Sequence, residues 1–457
     1  MNLFTLQKYF RLTPFDTDTE QGRSDERYRL AVLSMAANIV SRAAAMAVMV
    51  LTVSLTVPYL GAERFGVWMT IASFAGMLMF LDLGVGNALT NSVAQGAARN
   101  NPERLSQVIS GGLGFLFLIG CGAGVSLVAL FSLLPWQQLI KVDDPLLDAE
   151  VRRAALFFAG LFGVHVMANG VQRVFAGLQR AYEGHLASIV GSIMTLLALW
   201  LAARQESGIL VLLAITLGVQ AVASLSLIGV LIRRGQFRFS GLVSNVREAT
   251  QPLLHVGGLF LLLQIGVMVG WGADSLIISS NLGAGQVAVF AVVQRLFQLA
   301  TQPMNIMNAP LWGAYADAYA KNDKGFIRKT LKSSLTTTLA YTTTAAVLLV
   351  WAGEWLAGIW VGNAIQISFG LLAAYGLWAI LEATGNALAM FMNACGIVRQ
   401  QVIVVTVFCV VSITVKLFLI RYSGLEAMIL GTAVTYALIT VSAYGFFFRK
   451  TLIEKIL

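Results

Sequence analysis

Tyr59-Leu60-Gly61-Ala62-Glu63-Arg64-Phe65-Gly66-Val67-Trp68 recurs, loosely, as Asn281-Leu282-Gly283-Ala284-Gly285-Gln286-Val287-Ala288-Val289-Phe290. The offset is 222 residues (283 − 61), about half of the 457-residue chain. Each copy is a short turn between two long apolar runs. A second echo keeps the order: Ser207-Gly208-Ile209-Leu210 and Ser423-Gly424-Leu425-Glu426 lie 216 apart (424 − 208). Small insertions account for the difference in offset. Internal duplication of a hydrophobic unit marks secondary transporters, whose substrate site lies between the repeats.

Hydrophobic residues make up 58% of the chain and charged residues 12%. Soluble domains run at about 45–50% apolar and about 25% charged. The excess extends along the whole length, which implies a polytopic membrane protein. Strand-period alternation is absent, and backbone in lipid must satisfy its own hydrogen bonds, so the spans are helices. Cys121, Cys395, Cys409, His165, His185 and His255 are scattered. No spacing suggests a metal site, haem attachment or disulfide framework, and no cofactor is expected.

A bilayer core takes about 20 apolar residues of helix. That length predicts about twelve spans, near Leu30–Pro58, Phe65–Ala94, Leu105–Leu134, Ala154–Val174, Leu186–Ala203, Gly208–Ile232, Pro252–Ser280, Gln286–Leu311, Leu331–Val350, Ile367–Met392, Val402–Ile420 and Ala427–Phe448. The organisation read from them is an N-terminal tail over 1–29, a six-helix lobe over 30–232, a linker over 233–251, a second lobe over 252–448 and a tail over 449–457. With an even number of spans per lobe, the repeats share one orientation. Arg64, Lys141, Arg152, Arg153, Arg204 and Arg421 fall on one side, and nearly all other Lys and Arg fall on the opposite one. The crowded side is cytoplasmic, with both termini inside. The net charge of +9 is then topology and headgroup attraction, not nucleic-acid binding. Residues 1–15, with Lys8 and Arg11, read as either an interfacial helix or a loose tail. The loop Pro135–Arg153 is too short to be a domain.

Ionisable residues inside a membrane are costly and normally face a cavity or a partner. Six qualify: Arg42, Asp82, Asp274, Arg295, Glu382 and Lys416. At about 1.5 Å rise per residue, Arg42 and Asp82 lie about 24 and about 27 Å from the outer turn of the first hairpin. Asp274 and Arg295 lie about 10 and about 14 Å from the turn of the second. Depth therefore predicts the pairs Arg42–Asp82 and Asp274–Arg295. These are either structural bridges or steps along a substrate path. Glu382 is either satisfied by neighbours or carries a coupling ion. Lys416 either snorkels outward or meets substrate.

Helix-weakening residues gather on the same hairpins: Gly76, Gly84 and Gly86 in span two, Gly266, Gly270 and Gly272 in span seven, Pro303 and Pro310 in span eight. Interrupted helices at matching places point to a transport site, although Gly and Pro are common in membrane helices anyway. Gln294, Gln298 and Gln302 repeat at i, i+4 and share one face, continued by Asn305 and Asn308. That face should line a wet cavity.

Pro58-Tyr59-Leu60-Gly61, Phe65-Gly66-Val67-Trp68 and Leu81-Asp82-Leu83-Gly84-Val85-Gly86-Asn87-Ala88-Leu89 resemble the opening hairpin of the polysaccharide-export flippases. These are the Wzx-type O-antigen translocases of the multidrug/oligosaccharidyl-lipid/polysaccharide superfamily. Gly177-Leu178-Gln179-Arg180-Ala181-Tyr182 and Asn393-Ala394-Cys395-Gly396 resemble two of that family's cytoplasmic turns. The resemblance implies an all-α membrane fold of two six-helix lobes in a V, like that of the multidrug exporters. It implies transport of undecaprenyl-pyrophosphate-linked oligosaccharide from the cytoplasmic to the periplasmic leaflet of a bacterial inner membrane, by alternating access. It also implies membrane lipids as surroundings, with a polysaccharide polymerase and a chain-length regulator as candidate partners. On that model Arg42, Arg295 and Lys416 meet pyrophosphate and acidic sugars, helped by Gln294, Gln298 and Gln302. Asp82, Asp274 and Glu382 serve as coupling-ion sites or charge partners.

Two other classes compete. A multidrug or organic-cation antiporter of the same fold should have an acidic, aromatic-lined lumen, whereas a balanced to cationic cavity favours an anionic substrate. A membrane glycosyltransferase or polymerase needs a sizeable loop with a nucleophile–base set, which Pro135–Arg153 lacks.

Overall fold

A computed structural model describes residues 8, 10–11, 13–16, 19–78, 85–98, 101–141, 145–244, 266, 270, 272–362 and 365–450. The described residues are helical, with no strand among them. The chain is an all-α polytopic membrane protein. Eight helices among the described residues are long and apolar enough to cross a membrane. The first, α1 (Glu20–Leu78), and the last, α14 (Val398–Ser442), each hold a non-helical glycine that divides them in two, Gly61 and Gly424. Between them run α2 (Val85–Ala98), α3 (Pro102–Leu133), α4 (Trp136–Ile140), α5 (Pro145–Gly177), α6 (Ala181–Arg204), α7 (Ile209–Arg233), α8 (Gly241–Ser244), α9 (Asp274–Leu282), α10 (Ala284–Asn308), α11 (Leu311–Ala320), α12 (Lys324–Val361) and α13 (Phe369–Ala394). Most of expected span seven lies outside the described residues.

The repeated turns are alike in backbone. Gly61 has φ 72 and ψ 171, and Gly283 has φ 88 and ψ 168. That region is open essentially to glycine alone, so the turn needs glycine in both copies. The second echo diverges: Gly424 has φ 80 and ψ −167, but Gly208 has φ −72 and ψ 173.

The chain divides into two compact units. Unit 1 comprises Met1–Leu55, Asp82–Leu134 and Ala149–Gly258; unit 2 comprises Thr56–Leu81, Pro135–Asp148 and Leu259–Leu457. Their main boundary lies between Gly258 and Leu259, and 56–81 and 135–148 group with the C-terminal half. Hydropathy locates spans and cannot say which bundle a span packs into.

In unit 1, α3 and α5 approach to backbone contact, since a Cβ on Gly120 would lie 2.7 Å from Gly163 Cα. Small residues permit such crossings in lipid. Gln172 Nε2 donates to Ser224 Oγ at 3.0 Å and to Gly184 O at 3.3 Å, tying α5 to α6 and α7. Most of residues 1–15 lies outside the described residues, but Lys8, Arg11 and Phe15 contact the first turns of α1. Phe15 N donates to Glu26 Oε2 (2.9 Å), Arg29 Nη1 to Arg11 O (3.0 Å), and Lys8 pairs with Asp25 (2.6 Å). The Arg29 hydrogen bond holds the Glu26 carboxyl below its usual range, against the upward push of burial.

In unit 2, packed aromatics form the core: Phe290 and Phe297 lie on Tyr375, and Phe408 stacks on Trp378 and meets Tyr436 edge-on. Helix α4, in the Pro135–Arg153 loop, docks here with Trp136 and Ile140 buried. Pro303 sits inside an unbroken α10, while Pro310 precedes α11 and separates the two helices. Gly66, after the first turn, lies against the second turn, where a Cβ would overlap the Ala284 carbonyl. Gly66→Ala is therefore expected to cost about 3 kcal/mol or more, since both partners are backbone and cannot rotate away. A thermal-stability measurement in detergent checks this; an unchanged melting temperature would refute the contact.

Candidate functional site

Unit 2 contains a cavity of about 840 Å³. Helix α10 supplies one wall. Gln294, Gln298, Gln302 and Asn305 all line it, because steps of four and three residues keep them on one helical face. Helix α13 supplies the facing wall with Glu382, Asn386 and Asn393. Ser73, Asp274 and Ser275 also line it, as do Tyr436 of α14 and Tyr444 just beyond it. The amides are held in order: Asn386 Nδ2 donates to Asn305 Oδ1 at 2.9 Å, and Gln401 Nε2 to Asn393 Oδ1 at 2.9 Å. Ser73 Oγ and Ser275 Oγ share a hydrogen bond of 2.8 Å. The interior thus presents oriented amides, hydroxyls, ring faces and two carboxylates.

The charges are arranged differently from the expectation. Lys416 does not snorkel; it is 1% exposed, with Nζ 2.6 Å from Asp274 Oδ1 and donating to Gly270 O at 2.7 Å. The ion pair of Asp274 is therefore with Lys416, and the depth-matched pair Asp274–Arg295 does not form. Arg295 follows Gln294 by one residue, about 100° around the helix, and points elsewhere: its Nη2 lies 3.1 Å from Met69 Sδ. Depth gives position along the membrane normal, and pairing also needs the right rotation about the axis. Glu382 lines the cavity near Asp274. No lining residue among those described is Lys or Arg, so this cavity is acidic and not cationic.

In unit 1, Arg42 is half-buried and donates from Nε to Asn38 Oδ1 at 3.2 Å. Asp82, its expected partner, lies outside the described residues. Tyr436, Asn386 and Gln401 were not singled out from the sequence. For Asn386 the signal existed: it stands four residues after Glu382 on the same face. Tyr436 and Gln401 lie in apolar or loop-edge context, and only tertiary packing brings them in.

Residues 29–311 match the family model described as polysaccharide biosynthesis protein. The chain belongs to that family. No curated protein matches the sequence significantly. Among solved structures, this polysaccharide biosynthesis family member resembles a multidrug-resistance MATE transporter of the MOP superfamily, inward-facing (16% identity, TM-score 0.75, 90% of this chain and 95% of that one). It also resembles a MOP superfamily transporter from Pyrococcus furiosus whose description notes a binding pocket of reverse polarity (14%, TM-score 0.68, 94% and 96%). A third likeness is the lipid II flippase MurJ, inward closed (14%, TM-score 0.65, 93% and 90%). At these identities the likeness establishes the fold, and the family match places the chain in polysaccharide biosynthesis.

Proposed function

We propose that the protein flips undecaprenyl-pyrophosphate-linked oligosaccharide from the cytoplasmic to the periplasmic leaflet of a bacterial inner membrane by alternating access, with both termini cytoplasmic. The observation that carries this reading is the polar cavity of unit 2 in a chain of the polysaccharide biosynthesis family. Oriented amides such as Gln298 and Asn305 can exchange hydrogen bonds with sugar hydroxyls, and Phe290 and Tyr436 offer ring faces to their C–H surfaces. In this reading Gln294, Gln298 and Gln302 bind glycan, and Arg42 in unit 1 and Arg295 in unit 2 are the cations available to the pyrophosphate, whose charge cannot cross hydrocarbon bare. Lys416 acts through Asp274 and not on substrate. Glu382, Asp274 and Asp82 are the carboxylates available for coupling to a proton or sodium ion. A polymerase and a chain-length regulator are the candidate partners.

One observation favours the second reading, an organic-cation antiporter: the described cavity lining carries Asp274 and Glu382 and no cation. Deletion in the native host separates the two. Loss of surface polysaccharide with accumulation of lipid-linked repeats inside is the expected result. Normal surface glycan together with heightened sensitivity to cationic dyes would establish the antiporter instead. In the complementing gene, Glu382→Gln should lose surface glycan at unchanged membrane abundance; wild-type glycan from that variant would remove Glu382 from coupling.

A further inference from the structure

We propose that Lys141 and Arg421, gathered around Asn281, form a binding site for a phosphate-type oxyanion on unit 2, separate from the cavity. The two cations lie on opposite sides of Asn281 in the sequence, each 140 residues from it. Lys141 Nζ donates to the Asn281 backbone carbonyl at 2.6 Å, and Arg421 Nε to the Asn281 Oδ1 at 3.3 Å. Asn281 is itself fixed, with Nδ2 donating to Ile277 O at 2.8 Å, which leaves its Oδ1 to accept from Arg421. Lys141 is held by more than its ammonium. It ends the short helix α4 in a left-handed conformation (φ 50, ψ 53), uncommon for a side-chain-bearing residue, and α4 is anchored by buried Trp136 and Ile140.

Two like charges are thus drawn to one neutral residue. Among the described residues neither forms an ion pair, and both are exposed. Among the described residues no carboxylate pairs with either to offset their mutual repulsion, so the two cations are complementary to an anion. Donors remain for one. Of five N–H on a guanidinium and three on an ammonium, Asn281 takes one from each. Arg421 keeps both Nη groups, the fork that matches phosphate oxygens. The surroundings indicate where that anion is met. Phe418 and Tyr422, on either side of Arg421, are 61% and 75% exposed with ring centroids 4.8 Å apart. Exposed aromatic pairs of this kind sit at headgroup depth in a bilayer.

The shared chemistry is a phosphate or pyrophosphate ester. It comes either from an anionic phospholipid headgroup or from a pyrophosphate-linked glycolipid; only the second source rests on the flippase reading. The full chain in phosphatidylcholine nanodiscs, titrated with inorganic pyrophosphate and separately with dihexanoyl phosphatidylglycerol, tests the site by 31P line broadening. Lys141→Gln/Arg421→Gln should weaken binding by about tenfold or more, the loss of two charged hydrogen-bond donors. Lys141→Arg/Arg421→Lys, which keeps both charges, should fall between it and the wild type and excludes misfolding as the cause. Binding of phosphatidylglycerol lost with the charges assigns a lipid headgroup. Binding of pyrophosphate alone, lost likewise, assigns the glycolipid. If the wild type binds neither probe, or the double variant binds as the wild type does, the site does not exist.

Discussion

Lys416→Met should deplete the protein from the membrane. The ammonium is buried, 2.6 Å from the Asp274 carboxylate and bonded to the Gly270 carbonyl. Removing it leaves a carboxylate without its counter-charge, which typically costs about 3–5 kcal/mol, a large share of a protein's total stability. The double variant Asp274→Asn/Lys416→Met should recover most of that loss, because a buried ion pair exchanged for neutral groups of similar size is nearly neutral in energy. Asp274→Asn alone should be milder than Lys416→Met, since the ammonium keeps the Gly270 carbonyl. Membrane abundance of a fluorescent fusion and detergent melting temperature measure all three. Wild-type abundance and melting temperature in Lys416→Met would show that this pair holds nothing together.

Arg295→Ala should abolish export while leaving insertion intact. Arg295 stands one residue from Gln294 on the helix that walls the cavity, beside Met69. A cation at that depth is costly to keep and is retained where function uses it. Surface glycan should disappear at unchanged membrane abundance, and Arg295→Lys should restore part of it, because an ammonium keeps the charge and loses the fork. Normal surface polysaccharide from Arg295→Ala would end its assignment to the pyrophosphate. The structure also fixes which effects couple. Asp274→Asn and Arg295→Ala should add in stability, since they share no ion pair. Asp274→Asn and Lys416→Met should not.

How far each feature could be read from sequence depends on the kind of information it needs. The Gln294–Gln298–Gln302 stripe was legible because helical spacing alone places three residues on one face. The turn at Gly283 was legible because its stretch repeats Tyr59–Trp68 between two apolar runs. The partner of Asp274 was not. Arg295 matches it in depth and Lys416 was assigned toward the outer surface, yet rotation about the helix axes and the approach of α14 to Gly270 decide the pairing. The sign of the cavity was misjudged for the same reason. Counting charges within spans gave three cations against three carboxylates, but Lys416 is withdrawn into an ion pair and Arg295 turned aside, so the described lining keeps its carboxylates.

By itself the sequence determined that this chain is a helical membrane protein built on a repeated hairpin turn, because apolar run length, helical period and the need for glycine at a forbidden backbone angle are all local properties. Only the tertiary structure decided which charges face water and which face each other, that residues 135–148 pack with the C-terminal half, and that Lys141 and Arg421 meet at Asn281. Those outcomes depend on the rotation and packing of helices far apart in the chain, and no local pattern encodes them.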